Sequence, residues 1–247
     1  MKTADNTILI TGGGSGIGRE LARRLNELGN TIIVAGRRSE ALEETIAGRS
    51  DMRAVTLDIA SGESVTTFVR HVLAEHPMLN VLINNAGIMR REDLTKSGRL
   101  QDTEEMICIN LLGPIRLANA LMDHLIARPN AAIINVSSGL AFVPLSGAPT
   151  YCAAKAALHS YTVSLREQLR GRVEVIELAP PAVQTELIPG WSTREGSMPL
   201  KAFTDEAMAL IRQQPTPREI LVEGVKPLRW AERDGRYDDM VRILSAQ

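Results

Sequence analysis

"TILITGGGSGIGRELARRLNELG", residues 7–29, decides the fold. Its first five residues are a short β-rich apolar run, the signature of a buried strand. A glycine-rich turn follows, and then an amphipathic helix that stops at Gly29, a residue suited to a left-handed helix end. In "TGGGSGIG" (11–18) Gly12 can take backbone angles other residues resist. Gly16 and Gly18 let a phosphate approach and let the helix pack tightly on the strand. Between them Ser15 and Ile17 sit at the helix mouth, where free N–H groups and a partial positive charge favour an anion. No Gly-Lys-Ser/Thr ending is present, so a nucleoside triphosphate loop is disfavoured. A strand, a glycine turn and a helix in this order predict a dinucleotide cradle.

Working outward, the same alternation repeats. "TIIVAG" (31–36), "RAVTLDI" (53–59), "NVLINNAG" (80–87), "AAIINVSS" (131–138) and "VEVIELA" (173–179) read as strands, with "EILVEG" (219–224) a short further candidate. Helical stretches separate them: 40–48 capped by Ser39, 61–75, a long helix to about Arg128 entered through an Asp102/Glu105 capping box, and 150–170. Continuously apolar strands alternating with helices predict a parallel sheet covered on both faces. The expectation is an α/β fold: one doubly wound Rossmann-type domain over 1–247, with about seven strands. "IPGWSTREGSMP" (188–199) breaks the pattern and reads as a loop placed to act as a lid; 199–214 is helical, and 228–243 is a charged, partly helical tail.

Composition excludes several classes. The 247 residues carry a net charge of −1, which leaves no electrostatic footprint for nucleic acid or an anionic membrane. Aromatics are 3%, too few for a base-stacking single-strand binder. Cys108 and Cys152 make no zinc or redox pair and read as small core residues. The four histidines show no ligand spacing. "MKTADN" runs straight into a strand, and the apolar runs read as too short for a membrane span. A cytoplasmic protein is expected.

The end of the second strand specifies the nucleotide. An acidic residue there accepts from both ribose hydroxyls and suits NAD. "AGRRSE" offers Arg37 and Arg38 instead, the right partners for a 2′-phosphate, so NADP(H) is preferred over NAD(H). The alternative is two solvated arginines at a sheet edge. Asp58, ending the third strand, could accept from an adenine amino group or close a turn.

"TYCAAKAALHS" (150–160) places Tyr151 four residues before Lys155, on one helical face. A free tyrosine titrates near about 10. A neighbouring ammonium favours the phenolate and brings the phenol toward the range where acid–base catalysis works. Ser137 and Ser138 end the fifth strand, where open parallel sheets place their ligands. Met89, Leu140, Leu145 and Trp191 are candidate pocket walls; Arg90 and Arg91 either attract an anionic substrate or form a solvated pair.

Together TGGGSGIG, NNAG (84–87), Asn110, Ser138, YCAAK and Thr185 resemble the short-chain dehydrogenase/reductase family over essentially the full chain. The separation of 13 between Ser138 and Tyr151 is the family's, and selects Ser138 over Ser137. The resemblance implies Tyr151 as acid/base, Ser138 as the group that polarises the substrate oxygen, and Lys155 as pKa tuner and ribose ligand. It implies that Asn110 keeps a water linking Lys155 to solvent; on its own, an asparagine inside a helix could equally mark a kink. Asn85, Ala86 and Gly87 are implied beside the adenosine ribose, Ile59 beside Asp58 at the adenine end, and Val183 and Thr185 against the carboxamide. The sequence departs from the family at Pro180-Pro181, where Pro-Gly is usual; the loop should be stiffer. This form, with "SSGLAFVP" and "AGIMRRED", is similar to a subgroup sometimes encoded with teichoic-acid D-alanylation genes.

The implied activity is NADP(H)-dependent hydride transfer between nicotinamide and a small carbonyl or alcohol, by a homodimer or homotetramer. Two other readings compete. One is a catalytically silent NADP(H)-binding sensor or scaffold, which has no chemical need for all of Ser138, Tyr151 and Lys155. The other is a sugar-nucleotide epimerase or dehydratase, which usually needs a larger substrate domain than the chain offers after residue 179.

Overall fold

The computed structural model describes residues 1–246. Seven strands form one parallel sheet in the order β3-β2-β1-β4-β5-β6-β7. The strands are β1 (Thr7–Thr11), β2 (Thr31–Gly36), β3 (Met52–Thr56), β4 (Leu79–Asn84), β5 (Ala132–Val136), β6 (Glu174–Leu178) and β7 (Glu219–Ile220). The order reverses between β1 and β4, which opens a crevice at the carboxyl ends of those strands.

Alternate side chains of each strand face opposite ways, and both faces are apolar. Ile8, Ile10, Ile32, Val34, Val81 and Ile83 pack beneath α1 (Gly16–Asn26) and, farther along, α7 (Leu200–Ile211), through Leu21, Leu25 and Phe203. Leu9, Ile33, Leu82 and Ile133 pack on the other face, against Val69, Leu117, Leu121 and Leu165. Those four belong to α3 (Gly62–Glu75), α5 (Gly113–Ile126) and α6 (Pro149–Gln168). Covered on both faces, the inner strands β1, β2, β4 and β5 have no solvent side, which is why they read as apolar runs; the edge strand β3 leaves Arg53 and Thr56 exposed.

Three local expectations are corrected. The helix α2 (Ser39–Ile46) is preceded by Arg38 at its cap, so Ser39 is its first residue. The long helix starts at Leu100, two residues before Asp102, and the Asp102 amide donates to the Arg99 carbonyl. Glu105 does not cap it; it bonds to Arg37 and Arg90 across the crevice. The same helix is not continuous α-helix. It runs as α4 (Leu100–Ile107), one π-helical turn (Cys108–Leu112) and α5.

Leu100–Ile126 is long and apolar enough to cross a membrane by length and composition. However, Met106, Leu117, Leu121 and Leu125 are fully buried in the fold, the pattern of a core helix. The tail is more ordered than its composition suggests. It forms α8 (Lys226–Arg229) and α9 (Tyr237–Ser245), and α9 lays Leu244 against a small cluster of Met89, Met106, Leu145, Tyr151 and Cys152.

Candidate active site

One cavity of about 1170 Å3 runs along the carboxyl ends of the strands, from Arg37 and Arg38 at one end to Trp191 and Leu244 at the other. Its floor at the β1 end is the glycine turn. Gly12 has φ +67, and a side chain there would lie 2.9 Å from Ala86 Cα, so only glycine lets this turn close on the β4 loop. Ser15 precedes α1 in extended conformation and makes no capping bond to the helix. Its hydroxyl instead accepts from Arg38, at 3.1 Å. The first-turn N–H groups of α1 therefore face the cavity without a side-chain acceptor, a ready anion site. Gly16 and Ile17 line the cavity there, and Thr185 faces Gly16 closely enough that a Cβ would lie 3.3 Å from its methyl. Gly18 does not line it. A Cβ on Gly18 would stand 2.3 Å from the Gly12 carbonyl oxygen, so its role is tight packing of α1 on the turn.

Arg37 and Arg38 both line the far end. Arg37 pairs with Glu105 at 3.3 Å and remains half exposed. Ile59 lines the same end. Asp58 does not; its carboxylate accepts from the Ala60 amide at 3.1 Å and shapes a turn, the ordinary alternative for this residue. On the near wall, Asn85 donates to the Thr11 carbonyl at 3.0 Å, and the Asn85 and Ala86 amides both donate to the Thr11 hydroxyl at 3.0 Å. These bonds hold Asn85, Ala86 and Gly87 against the glycine turn, all three lining the cavity. A cradle that a Cβ would fill, an open helix mouth and two guanidiniums at one end are a donor set that fits an NADP-type dinucleotide.

Asn110 occupies the π turn and is fully buried. Its side-chain amide donates to the Ile88 carbonyl at 2.8 Å and its oxygen accepts from the Ile88 amide at 3.0 Å. It thereby clamps the segment after β4 as a neighbouring strand would. The extra residue of a π turn re-aims the side chain into that position. The side chain does not line the cavity; a Cβ on Gly87, however, would meet Asn110 Oδ1 at 2.8 Å and Lys155 Nζ at 3.7 Å, so the three converge.

Ser138, Tyr151 and Lys155 share the cavity beyond β5. Ser138 Oγ accepts from the Leu140 amide at 3.1 Å, and its hydroxyl favours the Tyr151 phenolate. Lys155 donates to the Val136 carbonyl at 2.8 Å, and its ammonium lies 5.7 Å from the Tyr151 ring centre. Tyr151 is 5% and Lys155 4% exposed. Burial outweighs the Ser138 bond and pushes the phenol up to about 12, while burial brings the lysine down to about 8 against the opposing charge of Glu177. The expected lowering of the tyrosine is thus not found in the protein alone. Its cause is desolvation of both groups, which sequence spacing does not report.

Val183 pairs with Met198 in an isolated parallel bridge, which ties the two ends of the 188–199 loop together at its base. Trp191 sits between two guanidiniums, with Arg194 3.9 Å and Arg91 5.8 Å from its ring centre. Met89, Leu140, Leu145 and Trp191 all line the cavity, as expected. Arg90 does not; Glu105 holds it at 2.5 Å. The Gly139 amide donates to the Pro180 carbonyl at 2.8 Å, and Pro181 lies on the cavity wall beside Gly224. Sequence reasoning missed the opposite wall, Met240, Ile243 and Leu244 of α9. Their signal was present: apolar residues three and four apart in a charged tail. Leu244→Asp should cost roughly the burial of a leucine, about 1.5 kcal/mol, and raise KM for an apolar substrate about tenfold with kcat little changed; steady-state kinetics checks it.

Comparison with known proteins agrees with this architecture. The short chain dehydrogenase profile matches residues 6–196. DltE of Bacillus subtilis, an uncharacterised oxidoreductase, is 40% identical over all of this chain and 99% of its own length. Two solved structures share the fold. A short-chain dehydrogenase from Burkholderia cenocepacia in complex with NADP has TM-score 0.82 and 23% identity, covering 99% of each chain. Another, from Sphingobium yanoikuyae in complex with NADPH, has TM-score 0.81 and 24% identity, covering 96% of this chain and 95% of its own. A matching profile across the cradle and the Ser138/Tyr151/Lys155 corner, with a relative similar end to end, makes this chain a member of the short-chain dehydrogenase family of oxidoreductases, enzymes that interconvert CH–OH and C=O groups.

Proposed function

We propose that the protein is an NADP(H)-dependent carbonyl reductase of small molecules, with Tyr151 as general acid. The observation that carries this reading is one continuous cavity that joins the glycine cradle and two arginines to a buried serine, tyrosine and lysine. NADPH, when bound, supplies the hydride to the carbonyl carbon. The rest falls to the chain. Ser138 donates a hydrogen bond to the substrate oxygen, and the Tyr151 hydroxyl gives its proton as that oxygen becomes an alkoxide. The phenol, raised further by burial, carries its proton at neutral pH and is available as the donor. Lys155 stands beside the tyrosine to stabilise the phenolate left behind. In this reading Ile188 and Trp191 of the 188–199 loop and Met240 and Leu244 of α9, which line the cavity, limit the access of water to this corner.

Arg37 and Arg38 select the nucleotide in this reading, through the 2′-phosphate; the NADP and NADPH bound by the two neighbours of the same fold support it. Gly12, Ser15, Gly16 and Ile17 hold the pyrophosphate, Asn85 to Gly87 the adenosine side, and Val183 and Thr185 the carboxamide. The chain acts as one domain, in the cytoplasm, as a homodimer or homotetramer. The test is NADPH oxidation by purified protein across a panel of aldehydes and ketones, run beside NADH. NADPH-preferring turnover is expected. Replacing both arginines by alanine should cut the NADPH-over-NADH preference in kcat/KM at least tenfold, corresponding to about 1.4 kcal/mol, chiefly through weaker NADPH binding. An unchanged preference would overturn the assignment of the arginines.

A further inference from the structure

Behind the proposed acid lies a group that the reaction as described does not use. Glu177 of β6 is fully buried, a charged residue in a strand that is otherwise apolar past its first residue. A carboxylate removed from water is costly unless hydrogen-bonded and paired. It is bonded on both oxygens: Ser137 donates to one at 2.5 Å, and His159 Nδ1 meets the other at 2.7 Å. Ser137 is the neighbour of Ser138. His159 lies four residues beyond Lys155, as Lys155 lies four beyond Tyr151, so the three form one stripe down α6. Lys155 itself is buried, with its ammonium held by the Val136 carbonyl at the end of β5.

A metal ion is the first alternative for this cluster. One atom each of His159, Glu177 and Glu219 lies within 4.8 Å of the others. Glu219, however, accepts two hydrogen bonds of 3.0 Å from Arg229, and both oxygens of Glu177 are engaged. A guanidinium already neutralises Glu219, the charge a cation would need.

We propose that Glu177 is a positioning residue for the reaction: a carboxylate buried behind the active site, aimed by Ser137 and His159, that keeps Lys155 in its ammonium form. This rests on the reading of Tyr151 and Lys155 given above. Burial alone drives Lys155 toward the neutral amine, and the charge of Glu177 opposes it. Ionisable groups that face the pair include Tyr151 and His159 of α6 and Glu219 of β7, with Arg229 of α8 behind Glu219. Arg229 is paired with Glu219; Glu177, bonded to His159 at 2.7 Å, is the carboxylate whose charge acts on Lys155.

The experiment is a titration of Lys155 that needs no turnover. The chain has five lysines, Lys2, Lys96, Lys155, Lys201 and Lys226, so the side-chain resonances of lysine-labelled protein are assigned by a single Lys155→Arg spectrum. Lys155 should titrate near about 8 in the native protein and lower by about 1 pH unit in Glu177→Gln. The alkaline limb of the reductase pH profile should move down with it. A Lys155 midpoint unmoved in a folded Glu177→Gln protein overturns the proposal, even if activity is lost. If Glu177→Gln does not fold, Ser137→Ala/His159→Leu/Glu177→Leu removes the network with its partners and leaves no orphaned polar group. It carries the same expected shift and the same refutation. Failure of the reductase reading shows differently, as no turnover on any carbonyl while the Lys155 shift persists.

Discussion

Tyr151→Phe should lower kcat for carbonyl reduction by about 10²–10⁴-fold, the range of a positioned general acid, and leave NADPH affinity unchanged. The substitution removes one hydroxyl from a ring already enclosed by Met89, Leu145 and Cys152, so the packing survives. The bond that holds Ser138, from the Leu140 amide to its Oγ at 3.1 Å, does not involve Tyr151 and is retained. Single-turnover NADPH oxidation measures the chemical step, and a fluorescence titration measures binding. The pH dependence carries a sign. Reduction uses the protonated phenol beside a charged lysine, so activity should be flat on the neutral side. It should fall as pH rises through the Lys155 value near about 8, well before the phenol titrates near about 12. A variant that turns over at the native rate removes Tyr151 from the mechanism.

Gly18→Ala is the second large effect, and it acts through shape. The new methyl would sit 2.3 Å from the Gly12 carbonyl oxygen and 2.4 Å from the Asn85 side-chain nitrogen, far inside van der Waals contact. Backbone cannot yield as a flexible side chain does, so either α1 lifts or the turn rotates. Overpacking of this kind costs about 1–3 kcal/mol, a fall in Tm of roughly 2–12 °C for a chain of this size. NADPH affinity should fall more than stability, because the displaced atoms are the cradle itself. Gly62→Ala is the control. It meets nothing within 4 Å at the first position of α3 and should be neutral or slightly stabilising. Thermal melts with and without NADPH separate the two variants.

The strands, the helices between them and many of the residues that line the cavity were legible because they depend on local patterns. Apolar runs of five or six residues, a glycine turn and a tyrosine one helical turn before a lysine survive in any context. Other features depend on partners far along the chain. Asn110 earns its place by bonding Ile88, 22 residues away, from a π turn that no propensity announces. Asp102 and Glu105 have the spacing of a capping box, but Arg37 and Arg90 claim the glutamate. The roof of α9 was hidden by its charge: Asp238, Asp239 and Arg242 face solvent, while Met240 and Leu244 turn inward. Glu177 stood in plain sight in "VEVIELA", yet its meaning needs Ser137, His159 and Lys155 around it.

The reversal between β1 and β4 has a consequence for how the chain is made. β1 pairs with β2 about two dozen residues away, Ile8 beside Ile32, but its other edge waits for β4, Ile8 beside Val81. During synthesis residues 1–78 emerge with that edge bare, and the groups on it belong to a strand whose centre is fully buried in the finished protein. An open apolar edge is a template for pairing with another chain. Delay in delivering residues 79–84, by slow translation or truncation, therefore exposes the nascent protein to aggregation at the same seam that later becomes its crevice.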